Sequence, residues 1–235
     1  MLKVENLDVA YGHLQVLRSV NMHIKNGEIV AILGANGAGK TTFLKSVMGL
    51  VPPKAGKVFY QGQDVTGLPT FQLSRKGIAF VPEERNIFPA MTVEENLLLG
   101  AYVNNVKSQV NANLKDVYEM FPRLQERRRQ LAGTMSGGER QMLAIGRGLM
   151  NKPHLIILDE PSMGLSPTNV LIVFETIKNL ITQEVTIIIV EQNVNATLAV
   201  ASRAYVMEHG SVVMEGTSET LLSNDHVKKT YLGLN

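Results

Sequence analysis

A nine-residue segment rich in glycine sets the strongest limit on how this chain can fold. The segment reads Gly34-Ala35-Asn36-Gly37-Ala38-Gly39-Lys40-Thr41-Thr42, and it directly follows the apolar run 29–33. It satisfies the pattern of a phosphate-binding loop, which is Gly, four residues and then Gly-Lys-Ser/Thr. Its glycines allow successive backbone N–H groups to turn toward a polyphosphate, and a helix that begins near Lys40 points its positive end at the same charge. The segment therefore predicts a strand, a loop that binds phosphate and a helix.

The polar side chains of this loop have predicted roles at the phosphates. Lys40 is expected to reach the β- and γ-phosphates, and the Thr41 hydroxyl is expected to ligate Mg²⁺. The residues predicted to contact the phosphates are Gly34, Asn36, Gly37, Ala38, Gly39, Lys40, Thr41 and Thr42.

A second element supplies the acidic partner that such a loop needs. Residues 155–158 form an apolar run, and Asp159 and Glu160 follow it where a strand would reach the ligand-bearing edge of a parallel sheet. Asp159 fits the metal role, and Glu160 is placed to polarise a water toward the γ-phosphate, as general base or as positioner. An acidic pair alone could equally be a helix N-cap or a surface turn, but the phosphate loop favours the catalytic interpretation.

Apolar runs without polar alternation indicate strands buried on both faces, as in a parallel sheet covered by helices. These runs are 29–33, 78–81, 155–158 and 187–190. Other segments have alternating or mixed patterns near turns, and suggest a smaller antiparallel layer beside the core. These segments are 3–11, 20–24, 57–60, 204–207 and 211–214. The predicted fold is therefore α/β.

Residues 88–150 differ from the rest because they carry helical patterns and no convincing strand. The patterns lie at 93–102, 110–120 and 139–150. We predict one domain over 1–235, in which 1–87 and 151–235 form the core with its antiparallel layer and 88–150 form an inserted helical subdomain.

The third of these helices has an unusual start. The segment Met135-Ser136-Gly137-Gly138-Glu139-Arg140-Gln141 leads into it, with Ser136 as the predicted N-cap and two glycines that free the backbone. Such a helix start can bind an anion, although an ordinary capped helix is the simpler interpretation. The chain therefore has two candidate phosphate-facing helix starts.

Composition excludes several classes of function. The 23 basic and 21 acidic residues nearly cancel, so no overall basic field favours nucleic acid. The local cluster Glu126-Arg127-Arg128-Arg129 is predicted to be a solvated face, with partner docking or phosphate contact as the alternative.

The absence of cysteine excludes disulfides and thiolate metal sites. No apolar run approaches the ~20 residues that cross a bilayer, and acidic residues stand where a signal peptide would be basic and then apolar, so any membrane role is expected to be peripheral.

The phosphate loop, the Ser136-Gly137-Gly138-Glu139 segment and the run 155–160 occur in the order and at about the spacing of ATP-binding cassette ATPases. The chain resembles that family over nearly its whole length. The resemblance implies a P-loop NTPase core, ATP with Mg²⁺, and two cassettes that pair head to tail. In such a pair, ATP on one phosphate loop is capped by Ser136, Gly137 and Gly138 of the partner cassette.

The same resemblance implies two further roles. Tyr11 is similar to the aromatic residue that stacks on adenine in the family, although an aromatic residue at a strand end is often part of the core. The segment Ser162-Met163-Gly164-Leu165-Ser166-Pro167 resembles the loop that crosses the interface of the two cassettes.

Two positions depart from the general family pattern. Glu83 stands where most cassettes have Gln, and Gln192 stands where most have His. By this resemblance Glu83 faces the metal and adds negative charge there, while Gln192 can hydrogen-bond a γ-phosphate but cannot carry a proton. Either change is expected to slow hydrolysis or to shift it toward the partner cassette's site.

Both departures resemble one subgroup, the ATP-binding subunits of branched-chain amino-acid uptake systems. Three further segments strengthen that resemblance, and they are 89–97, 159–165 and 227–233. The subgroup implies an ATP-hydrolysing motor subunit that drives separate permeases. Urea and short-amide uptake systems use closely similar subunits and are the alternative.

The subgroup also implies where the chain works and with what. It places the chain on the cytoplasmic face of the membrane, with a second cassette, permease subunits and, indirectly, a periplasmic or lipid-anchored solute-binding protein as partners, and without nucleic acid. Segment 82–95 is expected to couple the core to the permease. The candidate contacts are Arg85, Ile87, Phe88 and Met91, which could equally be core residues of the helical subdomain.

Two alternative functions from other classes of protein are also compatible with the sequence. One is a soluble cassette ATPase that acts on ribosomes or DNA, which is disfavoured because the chain has one cassette, no long coiled coil and balanced charge. The other is a regulatory cassette with weak turnover, in which Glu83 and Gln192 mark a weakened site.

Overall fold

The structure, a computed structural model, describes residues 1–102, 109–181 and 184–231. Leu232 and Gly233, at the end of the segment 227–233 used above, lie outside these ranges. None of the helices in the described ranges combines the length and apolar character needed to cross a bilayer.

Strands and helices alternate through the core, and helices alone fill most of the middle of the chain. The strands are β1 (Leu2–Tyr11), β2 (Leu14–Ile24), β3 (Ile29–Leu33), β4 (Ala55–Tyr60), β5 (Gln63–Asp64), β6 (Ile78–Val81), β7 (Leu155–Asp159), β8 (Thr186–Val190), β9 (Arg203–Glu208) and β10 (Ser211–Thr217). The helices are α1 (Lys40–Val47), α2 (Thr70–Arg75), α3 (Val93–Gly100), α4 (Val110–Met120), α5 (Pro122–Glu126), α6 (Gly137–Leu149), α7 (Pro167–Leu180), α8 (Val194–Leu198), α9 (Ser218–Ser223) and α10 (Asp225–Tyr231).

The strands form two sheets. The larger sheet has six strands in the order β10-β9-β3-β8-β7-β6, and all its pairs are parallel except the edge pair of β10 and β9. The smaller sheet is antiparallel, with the order β2-β1-β4-β5. The predicted α/β fold, with a parallel core and an antiparallel layer, is confirmed.

Alternate residues of the central strands enter two different hydrophobic clusters. Ile29, Ala31 and Leu33 of β3 face a cluster that includes the helical residues Leu97 and Leu143. The residues between them, Val30 and Ile32, face a second cluster that includes Leu2 and Val4 of the antiparallel sheet and Phe43 of α1. Both faces of the central sheet are therefore covered, which explains why its strands read as unbroken apolar runs.

One prediction about the sheets is wrong. The pattern places segments 204–207 and 211–214 in the antiparallel layer, but β9 pairs in parallel with β3 in the central sheet, and β10 pairs with β9 as its antiparallel edge strand. The reason is that Ala204, Tyr205, Val206 and Met207 are all buried, while the polar hydroxyl of Tyr205 makes the run look mixed. The Tyr205 hydroxyl makes hydrogen bonds to the backbone of His23 in the antiparallel sheet.

The helical patterns between 88 and 150 form helices, and the described residues of this segment contain no strand beyond an isolated bridge from Thr92 to Leu131. The predicted helix over 110–120 matches α4 in both bounds, and α6 begins two residues earlier than predicted. One hydrophobic cluster joins these helices to the central sheet. The subdomain boundaries at 88 and 150 stay a prediction.

The register of the parallel strands brings their carboxyl ends together. Asp159, the last residue of β7, lies opposite Val190, the last residue of β8. Val190 also lies opposite Ile32 of β3, and Val81 at the end of β6 lies opposite Leu158. The segments that follow β3, β6, β7 and β8 therefore emerge at one edge of the sheet.

Arg203 joins the two sheets. Its guanidinium donates to both carboxylate oxygens of Glu28 at 3.0 Å and to the hydroxyl of Tyr205 at 2.9 Å, and a further bond reaches the carbonyl of His23 in β2. The Tyr205 hydroxyl in turn accepts from the backbone N–H of His23 at 3.0 Å. Arg203 also pairs with the exposed Glu215 at 2.7 Å, whereas the mostly buried Glu28 carboxylate depends on Arg203 for charge compensation.

Removal of this guanidinium should weaken the fold. We expect Arg203→Met to lower the free energy of unfolding by about 3 kcal/mol, because it leaves the Glu28 carboxylate buried without its partner. Chemical denaturation measures the change. Arg123→Met is the control, since Arg123 makes an exposed ion pair with Glu126 that contributes little. Equal losses in the two variants would contradict the assignment of Arg203 as the link between the sheets.

Candidate functional site

A cavity of about 330 Å³ lies at the carboxyl edge of the central sheet. The phosphate loop contributes Asn36, Gly37, Gly39, Lys40, Thr41 and Thr42 to its lining. Glu83 after β6, Glu160 after β7 and Gln192 after β8 complete the set of predicted residues that line it. The structure thus brings together residues from four separate strand ends.

Two glycines allow the phosphate loop to pass close to its neighbours. A Cβ atom on Gly34 would lie 2.4 Å from the carbonyl oxygen of Met207, and one on Gly39 would lie 2.7 Å from the Leu17 side chain. Gly39 also has φ +103°, which L side chains rarely adopt, and α1 begins directly after it at Lys40. The glycines therefore place the first N–H groups of α1 at the cavity.

Lys40 is a buried ammonium inside its own loop. Its Nζ donates to the carbonyl oxygens of Gly34 at 2.8 Å and Ala35 at 3.2 Å, and lies 4.0 Å from the nearer carboxylate oxygen of Glu160. Burial lowers the pKa of Lys40, although the charge of Glu160 opposes this shift. The ammonium is thus surrounded by oxygen atoms and can bind an anionic oxygen that enters the loop.

Thr41 and Asp159 form the predicted metal position. The Thr41 hydroxyl lies 3.4 Å from a carboxylate oxygen of Asp159, whose side chain is 2% exposed. Burial raises the pKa of Asp159 to about 6, helped by the charges of Glu160 and Glu83. The described residues contain no cluster of three or more His, Cys, Asp or Glu that could hold a metal alone. This donor set fits Mg²⁺, which in nucleotide sites takes one or two protein oxygens and completes its shell with phosphate and water.

Gln192 fixes the carboxylate of Glu160. The side-chain amide of Gln192 donates to one carboxylate oxygen of Glu160 at 2.6 Å. The backbone N–H of Glu160 donates to the carbonyl of Val190 at 2.9 Å, and its φ of +46° turns the chain away from the sheet. One carboxylate oxygen is thus occupied by the amide, and the other faces Lys40.

Glu191 was not predicted as a site residue. It is 2% exposed, and one of its carboxylate oxygens accepts the backbone N–H of Ser162 at 2.7 Å, at the start of the segment 162–167. Burial raises the pKa of Glu191, although the hydrogen bonds from Ser162 and from the backbone of Gln192 oppose the shift. An acidic residue directly after a buried strand was the signal that could have found it, as it did for Asp159.

The other predicted anion site lies at the start of α6, outside this cavity. Ser136 and Glu139 form a reciprocal capping box, with N–H to oxygen distances of 3.3 Å and 2.9 Å. Burial alone would raise the pKa of Glu139, but the Ser136 hydrogen bonds and Arg127 lower it. A Cβ on Gly138 would lie 2.3 Å from the Asn169 side chain, so α6 and α7 approach closely there. Ser136, Gly137 and Gly138 do not line the phosphate-loop cavity.

Tyr11 lies at the end of β1, opposite Leu14, and 47% of its surface is exposed. It is therefore not a core residue, but it does not line the cavity either. Val16 of β2 and Met163 do line it. The predicted stacking of Tyr11 on adenine stays a prediction.

Comparison with known proteins finds a family model and several relatives, and their descriptions agree with one another. A family model described as ABC transporter matches residues 17–163. The chain is 48% identical to the high-affinity branched-chain amino acid transport ATP-binding protein BraG of Pseudomonas aeruginosa, over 99% of this chain and 100% of the relative. It is 39% identical to a probable branched-chain amino acid transport ATP-binding protein LivF of Archaeoglobus fulgidus, over 100% of this chain and 99% of the relative. It is 36% identical to the lipopolysaccharide export system ATP-binding protein LptB of Escherichia coli K12, over 99% and 97%.

Solved structures agree with these relatives. An ATP-binding cassette of an ABC transporter in its ADP conformation superimposes with a TM-score of 0.87 and 27% identity, covering 99% of this chain and 98% of that chain. A dimeric cassette in a post-hydrolysis state, bound to ADP and Pi, gives a TM-score of 0.83 and 25% identity, covering 93% and 99%.

The raised pKa of Asp159 has a consequence for stability. The folded chain binds a proton at Asp159 up to about pH 6, whereas the ordinary value is 3.8, so stability falls as pH rises between these values and stays low above them. We expect Asp159→Asn, without nucleotide, to raise the free energy of unfolding at pH 7.5 by about 1–3 kcal/mol. The gain should shrink at pH 5.

Denaturant titrations at the two pH values measure this change. Asp116→Asn is the control, because Asp116 makes an exposed ion pair with Lys152 and its replacement should give no gain at either pH. A variant Asp159→Asn that is less stable than the natural chain at pH 7.5 would contradict the electrostatic account of the site.

Proposed function

The chain belongs to the ABC transporter family, and from this we propose that it is the ATP-hydrolysing motor subunit of an importer for branched-chain amino acids. The observation that carries the proposal is that Lys40, Glu160 and Gln192 line one cavity, with Asp159 hydrogen-bonded to Thr41 in its wall. The amino-acid class rests on the relatives named for branched-chain amino-acid transport, which match the chain from end to end and more closely than the lipopolysaccharide export relative.

Binding and hydrolysis of ATP follow from the positions of the side chains. The backbone N–H groups of the phosphate loop and the ammonium of Lys40 bind the polyphosphate. Glu160 accepts a proton from the attacking water, whose oxygen bonds to the γ-phosphorus while the bond to the ADP oxygen breaks. The products are ADP and phosphate.

Gln192 has the role of a positioning residue for Glu160. Because its amide cannot take up a proton, the proton from water goes to the Glu160 carboxylate alone. The 2.6 Å bond restricts the rotation of this carboxylate and leaves its second oxygen for the water. An amide at this position is thus compatible with turnover, which argues against a regulatory cassette with a weakened site.

Thr41, Asp159 and Glu83 are the residues proposed to hold Mg²⁺, directly or through its water shell. When bound, the ion neutralises charge that develops on the phosphate oxygens. Glu83 adds a carboxylate that a Gln at the same position would lack, which favours retention of the cation.

A second cassette completes the site. The capped start of α6 faces no phosphate within its own chain, since Ser136, Gly137 and Gly138 lie outside the cavity. We infer that these residues cap ATP on a partner cassette, and that segment 162–167 crosses the interface between them. Met163 is 49% exposed and lines the cavity, which fits a position at that interface.

The permease is proposed to dock in a groove of about 490 Å³ beside α3 and α6. Phe88, Leu99 and Tyr102 line this groove and are exposed. Of the four contacts predicted from sequence, Phe88 alone lines it, whereas Ile87 packs against the core. The buried amide of Asn96 binds both the N–H and the carbonyl of Phe88, at 2.9 Å and 3.0 Å, which fixes the Phe88 backbone beside the groove.

These contacts imply the location of the chain. A subunit that docks on the inner surface of a permease lies peripherally on the cytoplasmic face of the membrane. The solute-binding protein acts on the far side, so this chain has no direct contact with it. We propose no nucleic-acid partner.

Removal of the catalytic carboxylate tests the motor role. We expect Glu160→Gln to lower ATP hydrolysis by about 100-fold or more, because the amide cannot accept a proton, while ATP still binds. Cells that rely on this chain should then lose uptake of labelled leucine but keep uptake of labelled urea.

Glu175→Gln, an exposed carboxylate on α7, is the matched control and should preserve both activities. Loss of urea uptake instead of leucine uptake would overturn the proposed solute. Unchanged ATP hydrolysis in Glu160→Gln would overturn its assignment as the proton acceptor.

A second substitution tests the docking groove. Phe88→Ala removes an exposed aromatic ring, and we expect it to weaken binding to the permease by about tenfold or more. Co-purification of tagged permease with increasing amounts of the chain measures the affinity. Leu171→Ala, at a residue 67% exposed on α7, is the control and should not change binding. Equal effects of the two variants would exclude the groove as the permease site.

A further inference from the structure

Arg85 lies in the loop between β6 and α3, in a strained backbone. Arg85 has φ +62° and Asn86 has φ +45°, backbone angles that residues other than glycine rarely adopt. The guanidinium of Arg147 in α6 binds the carbonyl oxygens of both residues, at 3.0 Å and 2.7 Å. It also lies 5.8 Å from the ring centre of Phe88, which lines the permease groove. The shape of this loop is therefore imposed by its contact with α6.

The side chain of Arg85 points away from the groove. Its Nε donates to the amide oxygen of Gln141 in α6 at 2.7 Å, and one terminal nitrogen donates to the backbone carbonyl of Met163 at 2.8 Å. Gln141 is 2% exposed, so its amide oxygen depends on an internal donor. The geometry of the Arg85 side chain therefore does not support the permease contact that the resemblance implies for it.

The two acceptors belong to the two segments that are proposed to meet the partner cassette. Gln141 lies one turn into α6, after the capped start at Ser136, and Met163 lies in segment 162–167. Glu191, which follows β8, binds the adjacent Ser162 N–H. Segment 162–167 is thus bonded through Ser162 to Glu191, which precedes the cavity residue Gln192, and through Met163 to Arg85 of the loop between β6 and α3.

We propose that Arg85 is a positioning residue for ATP hydrolysis, which makes the capped start of α6 and segment 162–167 move with the permease-docking loop. The proposal rests on the proposed motor function of the chain. Two nitrogens in the fixed plane of one guanidinium set the distance between the Gln141 and Met163 acceptors. A movement of Phe88 in the groove reaches Arg85 through the Arg147 contacts and then displaces both acceptors.

The experiment uses the full chain, four single variants at Arg85 and Gln141, one double variant and one control. Arg85→Ala removes both bonds, and Arg85→Lys keeps the charge but has one nitrogen for two acceptors. Gln141→Glu keeps the acceptor, and Gln141→Met removes it. Arg129→Ala is the control, because it deletes an exposed guanidinium of the helical segment.

Hydrogen exchange gives the first readout, because it does not require turnover. In the native chain the Met163 N–H bonds the Glu160 carbonyl at 3.1 Å, and the Leu165 N–H bonds the Ser162 carbonyl at 3.2 Å. We expect these amides to exchange about tenfold faster in Arg85→Ala and Arg85→Lys, with a thermal midpoint within about 2 °C of the natural chain. Arg129→Ala and Gln141→Glu should exchange like the natural chain.

Turnover gives the second readout, on the chain assembled with its permease. We expect Arg85→Ala, Arg85→Lys and Gln141→Met to lower kcat by about tenfold or more, with KM for ATP within about twofold, because positioning and not ATP binding is lost. Arg85→Ala combined with Gln141→Met should be no worse than either alone. Gln141→Glu should retain kcat.

Two results would overturn the proposal. One is unchanged exchange at 162–167 in Arg85→Ala, and the other is natural behaviour of Arg85→Lys, which would show that charge alone suffices. A failure of the motor function itself would look different: the natural chain with its permease would hydrolyse no ATP, while the exchange measurement would still decide the role of Arg85.

Discussion

The in-register pairing of the parallel strands is the constraint on which the rest of this structure depends. Because Asp159, Val190 and Ile32 are paired across β7, β8 and β3, the residues that follow these strands emerge side by side. Each strand is buried on both faces, so a slip of register would move its side chains into the wrong hydrophobic cluster. Packing of the core thereby determines the distances between Lys40, Asp159 and Glu160.

Electrostatics at this edge favour ligand binding over the stability of the free chain. The charges of four carboxylates, those of Glu160, Asp159, Glu191 and Glu83, act on the single ammonium of Lys40, and burial raises the pKa of Asp159 to about 6. An arrangement with this excess of negative charge is costly by itself and attracts a divalent cation. Lys40, in contrast, binds backbone oxygens of its own loop, which hold it at the position where a phosphate would enter.

Local sequence predicted the elements of the site better than their connections. The phosphate loop, Asp159 and Glu160 could be predicted because each stands next to a recognisable apolar strand, Gln192 could be predicted from the family resemblance, and the cavity unites most of them. The sheet of 204–207 was predicted wrongly, since strand partners depend on residues far away in the chain. The contacts of Glu191 with Ser162 and of Arg85 with Met163 could not be predicted for the same reason. Pairings of this kind are visible only after the strands and loops are placed.

The central claim is that the residues at the strand ends act as one ATP site, and a crystal structure of the Glu160→Gln chain with Mg²⁺ and ATP tests it most directly. The account predicts that the polyphosphate lies in the 330 Å³ cavity, and that the Lys40 ammonium leaves the carbonyl oxygens of Gly34 and Ala35 to bind phosphate. A nucleotide bound elsewhere, with Lys40 still bonded to those two carbonyls, would contradict it.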